Sequence, residues 1–384
     1  MNNSAVITNV QSQLDTERLA RYTNDRIALV AQGGGQRGIF TAGVLDAFLA
    51  EKFDPFHTFY GTSAGALNLC AFLCRQRGLG KAFITELTTD PQFFNLFSYI
   101  RRQQYLQLDW ALDRIQHEPY RLDLVRGRAA LGSRHAYAAV THAQTLHDHY
   151  LPFMGNNWER VLRATCAIPR LCHEEVVVNE QPYVDGGVSA SIPVQEAWRQ
   201  GHRCIVVIRT ESETSIVEPD EAKPEIRSLA PIEPLTHSLQ RWLPTSWTEK
   251  LDRWQGDWRT RIQNRLHTQR DHTEQAESLN GGRWLFGADQ IYRLSSLLGD
   301  KWDAGIADML MVHYQTYALT QTFLSLPPDD CFVVQIMPES PLLSSSLLSK
   351  PAALRHDYML GLRAGRRFIH HCAPLLSKHP CAAQ

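Results

Sequence analysis

The chain has 384 residues, enough for one large domain or two ordinary ones, and 43% of them are hydrophobic, so a substantial core is expected and wholesale disorder is excluded. Lys and Arg total 39 against 40 for Asp and Glu, a net charge of −1, which lacks the basic excess of a dedicated nucleic-acid binder. The eight cysteines include no C-x-x-C pair, the first residues carry no basic then apolar leader pattern, and no run of about 18 apolar residues occurs, so reduced thiols and a cytoplasmic location are expected.

In chain order, residues 1–24 read as a polar lead-in. Arg26–Val30 reads as a short buried strand that runs into AQGGGQRGIF (31–40), and apolar residues at 39, 40, 44, 45, 48 and 49 then follow helical spacing over 39–52. Phe56–Tyr60 is a second short strand. It meets GTSAG (61–65) and then the helix-favouring stretch Ala66–Arg75. Further strands are expected at 135–141, 174–178, 204–209 and 331–337, with a helix around Val194–Arg199. Strands alternating with helices predict an α/β sheet covered on both faces. The organisation expected is a lead-in (1–24), a first domain over 25–215, an inserted cap over 216–290, and a strand with helices over 291–384 that completes the fold. Residues 211–235, across the start of the insert, read as a loop. Residues 239–270 interleave Trp242, Trp247, Trp254 and Trp258 with Arg and Lys. That segment reads either as a helical cap or as a peripheral contact with a membrane surface.

Glycines closing a strand mean that the backbone itself approaches something. Gly33, Gly35 and Gly38 spell G-x-G-x-x-G, but the next strand ends in Tyr60-Gly61 without the carboxylate that a dinucleotide ribose requires. The second turn favours another ligand. Gly61-Thr62-Ser63-Ala64-Gly65 is G-x-S-x-G between a strand and an apolar helix, the setting of a nucleophile elbow, although a serine N-cap flanked by glycines gives the same string. A serine nucleophile needs a base and converging N–H donors. The donors are expected from the loop Gly33, Gly34, Gly35, Arg37 and Gly38, with Arg37 either bracing it or attracting an anionic head group. For the base, Asp185 closes the stretch Gln181–Asp185 and precedes Gly186 and Gly187, a place from which a carboxylate can reach another loop. A hairpin Asp-Gly turn has the same sequence. Histidine bases remain open, with His57, His142 and His173 near strand ends.

GGGQRG (33–38), GTSAG (61–65) and DGG (185–187) in this order resemble the patatin-like phospholipases, and Gly43-Val44-Leu45 and Ala164–Pro169 add to the likeness. Met337–Leu342 and Tyr358–Leu362 resemble the tail of a bacterial subgroup. The resemblance implies a three-layer α/β/α domain with a helical C-terminal extension. It implies a lipid acyl hydrolase in which Ser63 attacks the ester carbonyl, Asp185 takes its proton, and the 33–38 loop with the N–H of Ala64 holds the oxyanion. It implies a lipid ester substrate and no metal or cofactor, and contact with the inner membrane surface through 239–270 fits that picture. A catalytically idle lipid- or protein-binding relative is the alternative. Where many members carry Asn, this chain has Ser191, which places one supporting hydrogen bond in question.

Overall fold

The computed structural model describes residues 3–23, 26–95, 105–172, 175–212 and 304–376. The expectations for 213–303, including the loop and the tryptophan-rich segment, lie outside the described residues. The first part contains β1 (Ser4–Ile7), β2 (Ser12–Gln13), α1 (Thr16–Ala20), β3 (Ile27–Ala31), α2 (Gly38–Ala50), β4 (Thr58–Thr62) and α3 (Ala64–Leu73). Next come α4 (Leu79–Ala82), α5 (Leu108–Arg114), α6 (Leu124–Leu131), β5 (His135–His142), β6 (Asp148–Pro152) and α7 (Trp158–Thr165). After these follow β7 (Val176–Val178), β8 (Gln181–Asp185), α8 (Val194–Arg199), β9 (Cys204–Ile208), α9 (Ala304–Ser325), β10 (Phe332–Ile336) and α10 (Pro351–Leu376).

The strands form one mixed sheet in the order β2-β1-β10-β9-β3-β4-β5-β8-β7, with β6 paired to β5. From β1 to β5 all neighbours are parallel, and β2, β6, β7 and β8 add antiparallel pairs at the two ends. Every residue of β3, β4, β9 and β10 is buried, as expected of parallel strands covered on both sides. Alternation then assigns the faces. Ile27, Leu29 and Ala31 join the larger core, which α2, α3, α7 and α10 cover, while Ala28 and Val30 join the smaller one, which receives residues of α8 and α9. This is the three-layer α/β/α arrangement.

The lead-in differs from its expected role. Ser4–Ile7 is a strand paired in register with Val333–Ile336, so the chain's start is built into the sheet beside β10. A four-residue strand among polar neighbours has too little pattern to be seen locally. Its signal is a partner more than 300 positions away.

The longest helix, α10, docks on α2 through bare backbone. A Cβ on Gly361 would lie 2.1 Å from the Phe40 carbonyl oxygen, and one on Gly43 would lie 2.3 Å from that of Tyr358. The two helices therefore approach more closely than any side chain allows. Gly361→Val is expected to lower stability by about 3 kcal/mol, read from a denaturant midpoint. Met359→Ala, on the same helix but 46% exposed, should stay within about 0.5 kcal/mol of wild type.

Candidate active site

The site lies at the carboxyl ends of the parallel strands, where α/β sheets place their ligands. Its two central residues are brought together by strand register. Thr62, the last residue of β4, lies opposite Ala139 of β5, and Asp185, the last residue of β8, lies opposite Val140. β6 covers β5 from Tyr137 to Thr141, overlapping both other partners, so β4 and β8 share the opposite edge. One runs parallel to β5 and the other antiparallel. They meet end to end, and the residues that leave them, Ser63 and Asp185, share one cleft.

Ser63 stands on a strained turn, with φ 51° and ψ −125°, in a region that a residue with a side chain rarely adopts. The glycines beside it make this turn possible. A Cβ on Gly65 would fall 2.4 Å from the Ala31 carbonyl oxygen, and one on Gly61 would fall 2.7 Å from the Ala66 backbone. Ser63 occupies the N-cap position of α3, but its side chain makes no capping bond, so the hydroxyl is not consumed by the helix. Its N–H donates to Thr165 Oγ1 at 2.9 Å, and that hydroxyl donates to the Ala139 carbonyl at 2.5 Å. Thr165 thus ties the elbow to β5. The Thr62 hydroxyl donates to the Ala190 carbonyl at 2.7 Å and ties it to the loop after Asp185.

Asp185 is 1% exposed. Burial disfavours its charged form and pushes its pKa up to about 7, against smaller lowering contributions from the Gly187 N–H and the Ser63 hydroxyl. Gly187 donates to Oδ1 at 2.7 Å, while Oδ2 accepts no well-formed hydrogen bond among the described residues. The Ser63 hydroxyl is therefore near the carboxylate without being aligned on it, a common state of catalytic pairs before substrate binds.

From the glycines alone, donors are expected throughout 33–38, but several of these amides are spent. Gly33 N–H donates to the Ser191 carbonyl at 3.0 Å, Arg37 N–H to the Gly34 carbonyl at 3.2 Å, and Gly38 N–H to the carbonyls of Gln36 and Gly35. Gly34 and Gly35, both at positive φ, and Ala64 donate their N–H groups to no carbonyl among the described residues. Ser191 meets the loop through its backbone oxygen, so the bond from Gly33 does not depend on its side chain. The Arg37 side chain packs under Gly34 and lies 3.9 Å from Glu211.

Glu211, His313 and Tyr317 also line the cleft. None of the three was marked by a motif. Glu211 leaves the sheet just after β9, and the other two sit one turn apart on α9. His57 opens the chain into β4 at the end away from Ser63, where its Nδ1 accepts from Ile27, and His142 contacts Gln181. Neither lines the cleft, and His173 lies outside the described residues. A second, apolar pocket starts at Ala64. One face of α3 (Ala64, Leu67, Asn68, Ala71) lines it together with Phe83, Ile84, Ile115 and Leu122.

Residues 29–198 match the Patatin-like phospholipase family, and residues 303–377 match a domain of unknown function, DUF6363. The uncharacterized protein YjjU of Escherichia coli K12 is 32% identical over 361 residues, spanning 94% of this chain and 82% of that protein. VipD from Legionella pneumophila, a solved structure, is 12% identical and superposes with a TM-score of 0.33, covering 92% of this chain and 67% of that one. The chain belongs to the patatin-like phospholipase family, a family of lipid hydrolases. No helix among the described residues is long and apolar enough to cross a membrane.

The buried carboxylate has a consequence for stability. Between about pH 4 and pH 7 the folded state holds the Asp185 proton and the unfolded state does not, so stability contributed here falls as pH rises and levels off above about 7. Asp185→Asn is expected to unfold at a higher temperature than wild type at pH 8, with a gap on the order of 2–4 kcal/mol that closes towards pH 4.

Proposed function

We propose that the protein is a serine esterase acting on lipid acyl esters through a Ser63–Asp185 dyad. One observation carries the reading: a fully buried carboxylate, with one oxygen that accepts no well-formed hydrogen bond among the described residues, stands beside a serine whose hydroxyl does not cap its helix on a strained elbow. An ordinary aspartate is a weak base for a hydroxyl, and burial brings this one close to neutral pH, where a general base is most effective.

In this reading Ser63 Oγ forms a bond to the ester carbonyl carbon while Asp185 Oδ2 takes its proton. The negative oxygen that develops is held by the N–H groups of Gly34, Gly35 and Ala64, at the start of α3, where the helix dipole favours negative charge. The carbon–oxygen bond to the alcohol breaks, and the proton passes from Asp185 to that leaving alcohol. Water, deprotonated by the same carboxylate, then bonds to the acyl carbon, the carbon–Oγ bond breaks, and the proton passes from Asp185 back to Ser63 Oγ as the acid leaves. The apolar cavity beginning at Ala64 supports a fatty acyl chain as the group carried, since it starts one residue from the nucleophile and is walled by Leu67, Phe83, Ile84 and Leu122.

Hydrolysis of nitrophenyl esters of short and long acyl chains, together with a phospholipid panel, tests the reading. Ser63→Ala and Asp185→Asn should each lower turnover by at least about a thousandfold with folding intact, and wild-type kcat/KM should rise with pH through about 7 as the carboxylate ionises. Activity surviving Ser63→Ala removes the mechanism and leaves a binding site. Leu67→Trp, which fills the apolar cavity, should cut activity on long-chain esters about tenfold more than on acetate esters. An equal loss on both removes the acyl assignment.

A further inference from the structure

Two hydrogen bonds meet at Gly187. Its N–H donates to Asp185 Oδ1 at 2.7 Å, and its carbonyl accepts from Nδ1 of His313, also at 2.7 Å. A carbonyl oxygen only accepts, so Nδ1 is the nitrogen that carries a proton. His313 lies on α9, in the part of the chain that matches the domain of unknown function and outside the residues that match the patatin-like family.

The turn after Asp185 is bonded within itself, Val188 N–H to the Asp185 carbonyl at 3.2 Å and Ala190 N–H to the Gly186 carbonyl at 2.8 Å, but neither bond holds the Gly187 carbonyl. Gly186 is pressed against β5, where a Cβ would lie 2.1 Å from the Ala139 oxygen, and Gly187 has no side chain to pack. The N–H and carbonyl of Gly187 belong to adjacent peptide units joined at a Cα without a side chain, so the bonds each makes set how that Cα is turned. We propose that His313 is a positioning residue for the Asp185 base: by holding the Gly187 carbonyl, it aims the Gly187 N–H at Oδ1 and leaves Oδ2 to Ser63. The assignment rests on the dyad reading above.

The ring is itself held. It is 3% exposed and stacks on Tyr317, with centroids 5.8 Å apart and planes 24° apart. The Tyr317 hydroxyl donates to Glu211, which lies 3.4 Å from Arg209 and 3.9 Å from Arg37. Residues four apart share a helix face, so α9 sets both rings on one wall of the cleft. Burial lowers the pKa of His313, so the ring is neutral at pH 7 and adds no cation beside Asp185. Among the described residues, Glu211 and Arg37 act on His313, with Tyr317 stacked on it. Those acting on or sensing Asp185 are Ser63, Cys166 and Cys172.

The test is the rate at which a fluorophosphonate labels Ser63 of the full chain, followed across pH, with melting temperature measured beside it. Wild-type labelling should rise through a midpoint near 7. His313→Ala loosens the bond that favours ionised Asp185, so its midpoint should move up by about half to one unit and labelling below it should slow about three- to tenfold. His313→Asn, whose amide N–H stands near the place of Nδ1, should restore the wild-type midpoint. If the alanine variant does not fold, His313→Gln, with its amide one methylene further out, replaces it with the same expected shift. An unchanged midpoint in the loss variant, whatever its stability, overturns the assignment, as does an asparagine variant no better than alanine. A wild type unlabelled at Ser63 removes the dyad reading and this assignment together. Wild-type labelling that needs Asp185, with a loss variant that keeps the wild-type midpoint, removes the assignment alone.

Discussion

Taking a carboxylate out of water without a cation at its side is costly, and the site is organised around that cost. Asp185 sits at the end of β8 with its charge opposed only by a backbone N–H and a hydroxyl, among the described residues that act on it. Arg37 lines the same cleft, but its charge is turned towards Glu211. A carboxylate paired with arginine would be a poorer base. Segregating the cations on the Glu211 side keeps the proton affinity of Asp185 close to that of a histidine, which gives the proposed two-residue site a physical basis.

The same economy of polar groups shapes the glycine loop. Several of its amides are bonded to Ser191, Gly34 and Gln36, and the loop is pinned from the far end of the chain: Gln36 N–H donates to the Ser346 carbonyl at 2.8 Å. The Gln36 side chain spans to Thr88 on one side and to the Ser349 N–H on the other. The C-terminal region thus touches the glycine loop through 346–349, α2 through α10, and the Asp-Gly-Gly turn through α9. It is part of the site's scaffold and not an appendage to it.

The two cavities divide the chemistry. One is lined by charged and hydroxyl groups, the other by a helical apolar face, and the elbow stands between them with Ser63 in the first and Ala64 in the second. A substrate with a polar ester end and an apolar chain matches that division. A small polar ester would leave the apolar wall unused.

Much of the local chemistry was legible in the residues. The strained elbow needs Gly61 and Gly65, the loop at positive φ needs Gly34 and Gly35, and the turn against β5 needs Gly186, so backbone constraint leaves its mark directly in composition. Strand and helix positions near the motifs followed from buried apolar runs and stood within a few residues of the observed elements. What sequence could not supply was partnership. The pairing of Ser4–Ile7 with β10, the end-to-end meeting of β4 and β8 on β5, the amides already spent within 33–38, the bond from Ser63 N–H to Thr165, and the arrival of Glu211, His313 and Tyr317 at the cleft are all contacts between distant segments. An ordinary His on an amphipathic helix has the same local pattern whether it faces solvent or a catalytic turn. Only the packing of that helix on the sheet decides which, because hydrogen bonding and desolvation depend on neighbours in space and not on neighbours in the chain.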